Sequence, residues 1–137
     1  MIDLLGQVID YLRLDSGAAT LQTALGDSPE TKITADFDPE NVSRPYIVAL
    51  QSHWDSKYKA LGNSVRVENQ IISFLCFTDT RADCVALLDT LESVLIQQTF
   101  GLGPPYVADK VAQLDLNKLD AYKGTLNLVW QVEQLQK

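Results

Sequence analysis

The stretch IISFLCFTDTRADCVALLDTLESVLIQQ, Ile71 to Gln98, decides how this chain is read. From Ile71 to Phe77 only Ser73 is polar. A short apolar run rich in β-branched and aromatic residues predicts a buried strand. Thr78-Asp79-Thr80 breaks the run, and an amphipathic pattern follows. Leu88, Leu91 and Leu95 recur at helical spacing, with Cys84, Val85, Leu87 and Val94 beside them. Asp83, Asp89, Glu92, Ser93 and Gln97 fall largely on the other side, which predicts a helix with one buried stripe. Thr80-Arg81-Ala82-Asp83 fits a capping box, a hydroxyl at the cap and a carboxylate three residues on. Asp79 and Asp83 also place negative charge at the positive end of the helix dipole.

Upstream, Ser64 to Gln70 alternates Val65 and Val67 with Arg66, Glu68 and Gln70, so one face of that strand end is exposed. Pro45 can start a strand, where its missing N–H costs little, and Tyr46 to Leu50 continues it toward Trp54. The two segments predict an antiparallel hairpin whose far end projects past the body. Before them, Leu4, Leu5, Val8, Ile9 and Leu12 mark one helical face, and Ala18 to Leu25 reads as a second short helix stopped by Gly26. Gly26 to Thr31 reads as a polar turn, and Lys32 to Ala35 as a short strand. Downstream, Phe100 to Tyr106 holds two glycines and two prolines and reads as a loop, and Val107 to Leu116 reads as an ambiguous strand. Gly124 to Gln134 alternates cleanly: Leu126, Leu128, Trp130 and Val132 one way, Thr125, Asn127, Gln131 and Glu133 the other. The predicted fold is α+β: a mostly antiparallel sheet of four to five strands packed on one long helix, with N-terminal helices and a projecting β-hairpin. It is read as a single domain over 1–137, with a helical arm at 1–26, the hairpin at 45–77, the long helix at 80–99 and the final strand at 124–135.

The chain has 137 residues, 46% of them hydrophobic, which predicts a true core and excludes a disordered chain. A net charge of −7 with scattered basic residues argues against a dedicated nucleic-acid binder. No apolar stretch approaches the length of a membrane span. Met1-Ile2-Asp3 does not begin a signal peptide. Cys76 and Cys84 have neither zinc nor CxxC spacing and read as small core residues.

No catalytic set emerges. The only histidine, His53, stands beside Trp54 at a strand end, and no nucleophile elbow surrounds Ser52 or Ser56. Asp36, Asp38 and Glu40 alternate as calcium ligands can, but Phe37 and Pro39 intervene and no EF-hand register follows. A solvated acidic loop is the simpler reading. Gly101-Leu102-Gly103 precedes two prolines rather than a helix, so it cradles no phosphate. Trp54, Tyr58, Lys57 and Lys59 could stack on single strands, but the acidic balance favours a protein interface. A small α/β enzyme using unrecognised carboxylates and an oligomeric adaptor remain the competing readings. No cofactor and no metal is expected.

The order of segments resembles the tail terminator, or tail completion, proteins of long-tailed bacteriophages. The resemblance rests on an N-terminal helix, a short helix ending at Leu25-Gly26 and a loop leading into Arg44-Pro45-Tyr46-Ile47-Val48. It continues through a hairpin turning near Gly62, and the strand Ile71-Ile72-Ser73-Phe74 passing by Thr78-Asp79 into Ala86-Leu87-Leu88-Asp89-Thr90-Leu91. A last strand follows Asp120 and Gly124. It implies a non-enzymatic virion protein at the tail or neck, made in the bacterial cytoplasm, with another phage neck or minor tail protein as the alternative. Such proteins form a ring, usually a hexamer, that caps the tail tube and joins it to the head. The implied partners are further copies of the chain, the tail-tube protein and a head-completion or connector protein. DNA would pass through the lumen without specific binding, which the acidic balance would suit. A ring needs two different contact patches on each subunit. The candidates are the hairpin, with His53, Trp54, Tyr58, Arg66 and Glu68, and the apolar stripe of the N-terminal arm, with Leu5 and Ile9.

Overall fold

A computed structural model of the chain describes residues 4–14, 16–26, 29–36, 42–56, 65–100, 102–114 and 121–135; for 16–18, 52–56, 65–68 and 132–135 it describes the backbone only. The elements in order are α1 (Leu4–Leu14), α2 (Ser16–Leu25), α3 (Pro29–Lys32), β1 (Ile33–Ala35), β2 (Tyr46–Ser56), β3 (Val65–Thr78), α4 (Arg81–Leu95), β4 (Tyr106–Leu114) and β5 (Tyr122–Leu135). The fold class is α+β, as predicted.

The strands form one five-stranded sheet in the order β1-β2-β3-β5-β4. Every pairing is antiparallel except the short parallel one between β1 and β2. The helices lie on one face, giving a two-layer arrangement. From the sheet, Ile33, Ile47, Ala49, Ile72, Phe74, Cys76, Leu126, Leu128 and Trp130 point into this layer. They meet Leu4, Val8 and Leu12 of α1, Leu21 and Leu25 of α2, and Cys84, Leu88, Leu91 and Leu95 of α4. Alternate residues face the other way, where Tyr46, Val48 and Phe77 form a second small cluster with Val42, Leu50 and Leu75. The Tyr46 and Phe77 rings stack there, 4.9 Å between centroids.

The cap of α4 is as its sequence predicts. Thr80 has extended backbone and its hydroxyl accepts from the Asp83 N–H. The Thr78 hydroxyl donates to the Thr80 carbonyl at 2.7 Å, fixing the hinge between strand and helix. Arg44 pairs with Asp79 at 2.8 Å and ties the chain entering β2 to the same hinge.

What lets α4 lie close to the sheet is a row of small residues beneath it. Cys76, Gly124 and Ala112 stand side by side on β3, β5 and β4. A Cβ on Gly124 would come within 2.7 Å of the Cys84 sulfur and 2.8 Å of Leu88 Cδ1. A glycine inside a strand marks such a close approach.

At the other end of α4 the chain turns through Phe100, whose φ of 50° is unusual for a side chain of that size. The turn brings its ring edge-on to both Tyr11 and Trp130, at 5.7 and 5.9 Å. The buried Trp130 indole donates to the Gln98 carbonyl at 2.8 Å. This aromatic group closes the core where the sheet runs on beyond it.

Several expectations are revised. The helical arm does not project: its stripe is built into the core, because α1 packs over β1 and β2 and against α2. The segment expected to be a turn contains α3; the ambiguous strand, by contrast, is present as β4, with a bulge between Val107 and Asp109. The projecting hairpin is in fact three strands wide, since β5 pairs with β3 along its whole length, from Thr78↔Tyr122 to Val65↔Leu135.

Candidate functional site

Beyond Ala49 on one side and Val129 on the other, β2, β3 and β5 continue as a three-stranded extension. Among the described residues no other strand lies beside it. At its base the helix-facing side turns polar. Gln51 donates to the Gln70 side chain at 3.1 Å, one strand over, and Gln70 stands opposite Trp130.

The predicted contact residues fall on both parts of the molecule. On the extension, His53 stands opposite Gln70 and Trp54 opposite Asn69. Glu68 lies between Asp55 and Val132, and Arg66 opposite Gln134. Their backbones are therefore brought together on one sheet, while their side chains lie outside the described residues, as does all of Tyr58. Leu5 and Ile9 are placed elsewhere. They are only 9% and 6% exposed, covered by the chain itself, and offer no apolar surface to a neighbour. That correction removes the N-terminal stripe from the candidate interface. An amphipathic helix must bury its stripe, but the sequence cannot say against what.

A groove of about 690 Å³ opens between α2 and α4 at the opposite end of the hairpin, lined among others by Thr20, Ala24, Pro45, Asp79, Asp83 and Ala86. One of its carboxylates, Asp79, is held by Arg44. The other, Asp83, belongs to the helix cap. No histidine, cysteine, lysine or tyrosine is among its described lining residues; its polar groups are threonine hydroxyls and these two carboxylates. Among the described residues no group of three or more His, Cys, Asp or Glu could hold a metal ion. Asp38 and Glu40 of the acidic loop lie outside them. Cys76 and Cys84 are buried, and burial pushes both thiols up, Cys76 the further. They are core residues without a base to activate them.

What this geometry offers is main-chain surface along the extension. The chain has the fold of a virion protein. It matches a chain from the virion of the native gene transfer agent (GTA) particle with a TM-score of 0.65 and 20% identity, over 95% of this chain and 94% of that one. A second solved structure matches with a TM-score of 0.55 and 10% identity, over 100% of this chain and 97% of that one. No family pattern matches the sequence, and no curated protein matches it. Among the described residues no helix is long and apolar enough to cross a membrane.

The sheet extension was half visible in sequence. The alternation from Ser64 to Gln70 marked β3 as leaving the core, and the alternation through Glu133 gave β5 its length. Nothing local said that the two would lie side by side.

Proposed function

We propose that this chain is a structural virion protein of a long-tailed phage or phage-like particle, and that within the virion it is a tail terminator. In this reading copies of the chain close into a ring, a hexamer, on the end of the tail tube, and the ring's other face receives the head-completion or connector protein. The chain performs no reaction. The observation that carries the reading is the likeness in fold, over nearly the full length of both chains, to a protein of the GTA virion. The extended sheet supplies contact surface of the kind a ring subunit needs. The net charge of −7 would let DNA slide through the lumen without sticking.

The test is deletion of the gene in the producing phage or particle, followed by cryo-electron microscopy of both preparations. Parent particles should show a ring of this chain between tube and head. Deletion should leave heads and tubes unjoined, and a plasmid copy should restore the joint. Joined particles of normal form after deletion, or density for the chain elsewhere in the virion, would overturn the terminator assignment.

A further inference from the structure

The backbone hydrogen bonds of the sheet identify which peptide groups the extension leaves without a partner strand. The Ala49 carbonyl accepts from the Asp36 N–H at 2.9 Å, so the Ala49 peptide groups face the β1 side. In a strand the N–H and C=O of one residue point to the same side, and successive residues alternate. β2 continues to Ser56 without a register shift. Gln51, His53 and Asp55 therefore direct their peptide groups to that outer side, where among the described residues no strand follows. Leu50, Ser52 and Trp54 bond inward, to β3. Carrying the alternation across β3 in its register with β5 places Gln131, Glu133 and Leu135 outward on the far side. Gly103 approaches the Gln131 carbonyl, so the open part of the second edge is Glu133 and Leu135.

Among the described residues the extension thus has two open edges, facing opposite ways. Unpaired edges invite another strand, and proteins usually blunt them with short strands, bulges, inward lysines or prolines. The body's own outer strands carry such devices. β1 has three residues and ends at Asp36 with φ 66°. β4 is bulged, and its Lys110 is turned onto Asp89 and Glu92 of α4. The extension carries fewer: residues 50–56 and 130–135 contain no lysine, arginine, proline or glycine, and the charges at its outward positions are Asp55 and Glu133.

We infer that the β2 edge of one copy, at Gln51, His53 and Asp55, pairs with the β5 edge of a second copy, at Glu133 and Leu135, so that the sheet continues from subunit to subunit. This rests on the ring reading above and names the contact that builds it. β2 and β5 both run antiparallel to β3, so they run in the same direction. A ring axis that runs along the strands preserves that direction, and the strands meeting across the junction are then parallel. The junction joins two different surfaces, as a head-to-tail contact requires, and every copy in a closed ring has both edges covered.

Proline substitution tests this directly, because at an outward position it removes an N–H that the subunit itself does not use. His53→Pro and Glu133→Pro are compared with the parent by native mass spectrometry and sedimentation, alone and with purified tail-tube protein, with circular dichroism as the check on folding. Trp54→Pro, which removes an inward bond, serves as the damaging control. The parent should form rings. His53→Pro and Glu133→Pro should fold normally yet remain monomeric. Mixed in equal amounts they should give a one-to-one dimer, since each retains the edge that the other lacks. If both variants assemble as the parent does, the edge pairing is wrong while the ring reading stands. Self-association of Glu133→Pro alone would mean β2 edges meeting each other, and would also overturn it. A parent that never self-associates, with or without tube protein, overturns both.

Discussion

Gly124 is the residue whose replacement says most about how the body is held. Its missing side chain is the seat of α4: an added Cβ would stand 2.7 Å from Cys84 Sγ, 2.8 Å from Leu88 Cδ1 and 2.9 Å from Leu88 Cγ. Both neighbours are fully buried among core residues and have nowhere to retreat. In a strand that tolerated it, alanine would gain roughly 0.5–1 kcal/mol over glycine from chain entropy. Forcing a methyl into packed core typically costs about 1–3 kcal/mol. With three atoms inside 3 Å the upper half of that range applies, and Gly124→Ala should destabilise by about 1–2.5 kcal/mol net. Urea unfolding followed by circular dichroism would show a lower midpoint at unchanged slope.

The decisive measurement is the double-mutant cycle with Leu88→Ala. Alone, that truncation should cost about 2–5 kcal/mol by leaving a cavity. Together with Gly124→Ala, the new methyl enters part of the space that Leu88 vacates. The pair should cost less than the two single changes added, by about 1–2 kcal/mol, well outside the scatter for independent sites. Additive costs, or a Gly124→Ala protein as stable as the parent, would refute the argument that contact with this glycine sets the height of α4 above the sheet.

Thr80→Ala removes the hydroxyl that accepts from the Asp83 N–H and should cost about 1 kcal/mol in the same urea assay. Lys110→Met removes the contacts from β4 to Asp89 and Glu92; as a largely exposed pair of bridges they should contribute only about 0.2–1 kcal/mol, and less in high salt. Hydrogen bonds from Lys110, first to Asp89 and then to Glu92, raise its pKa in the folded chain. Their stabilisation is therefore complete below the ordinary lysine value of about 10.4 and fades as pH rises through the higher folded value. The stability gap between parent and Lys110→Met should close in that alkaline window and stay flat near neutrality. Cys76 and Cys84 should resist a thiol-specific reagent in the native protein and react only as the chain unfolds, since both are buried with raised thiol pKa values; rapid native labelling of either would contradict their burial.

The parts of the fold that could be read in advance are those where one signal runs uninterrupted. α4 has a cap, a stripe and a polar back, and β5 alternates without a break. β4 read only as an ambiguous strand because its signal is cut in two. Val107 and Ala112 both pack on the core, an odd separation that strict alternation forbids. The bulge between Val107 and Asp109 makes it possible. α3 and β1 are too short, at four and three residues, to show any period. The N-terminal stripe was legible as a buried surface, but its partner was not. Leu5 and Ile9 look the same in sequence whether they meet a neighbouring copy or their own sheet. The seat at Gly124 had a signal, a glycine inside an alternating strand, whose meaning depends on a helix lying about thirty residues earlier in the chain.

Among the described side chains the core ends before the sheet does. Trp130 is the last described side chain of β5 to enter the helix-facing cluster, and Gln51 and Gln70 already make that side polar at the same level. Three strands nonetheless continue, β2 to Ser56, β3 back to Val65 and β5 to Leu135. Sheet that packs on no helix adds little to the stability of a subunit and leaves backbone groups for another chain to satisfy. A chain folding only for itself could have closed the hairpin near Gln51 with the same core intact. The proposed pairing between copies would give that continuation a use. Substitutions should accordingly separate into those under α4, which change stability, and those on the extension, which change assembly.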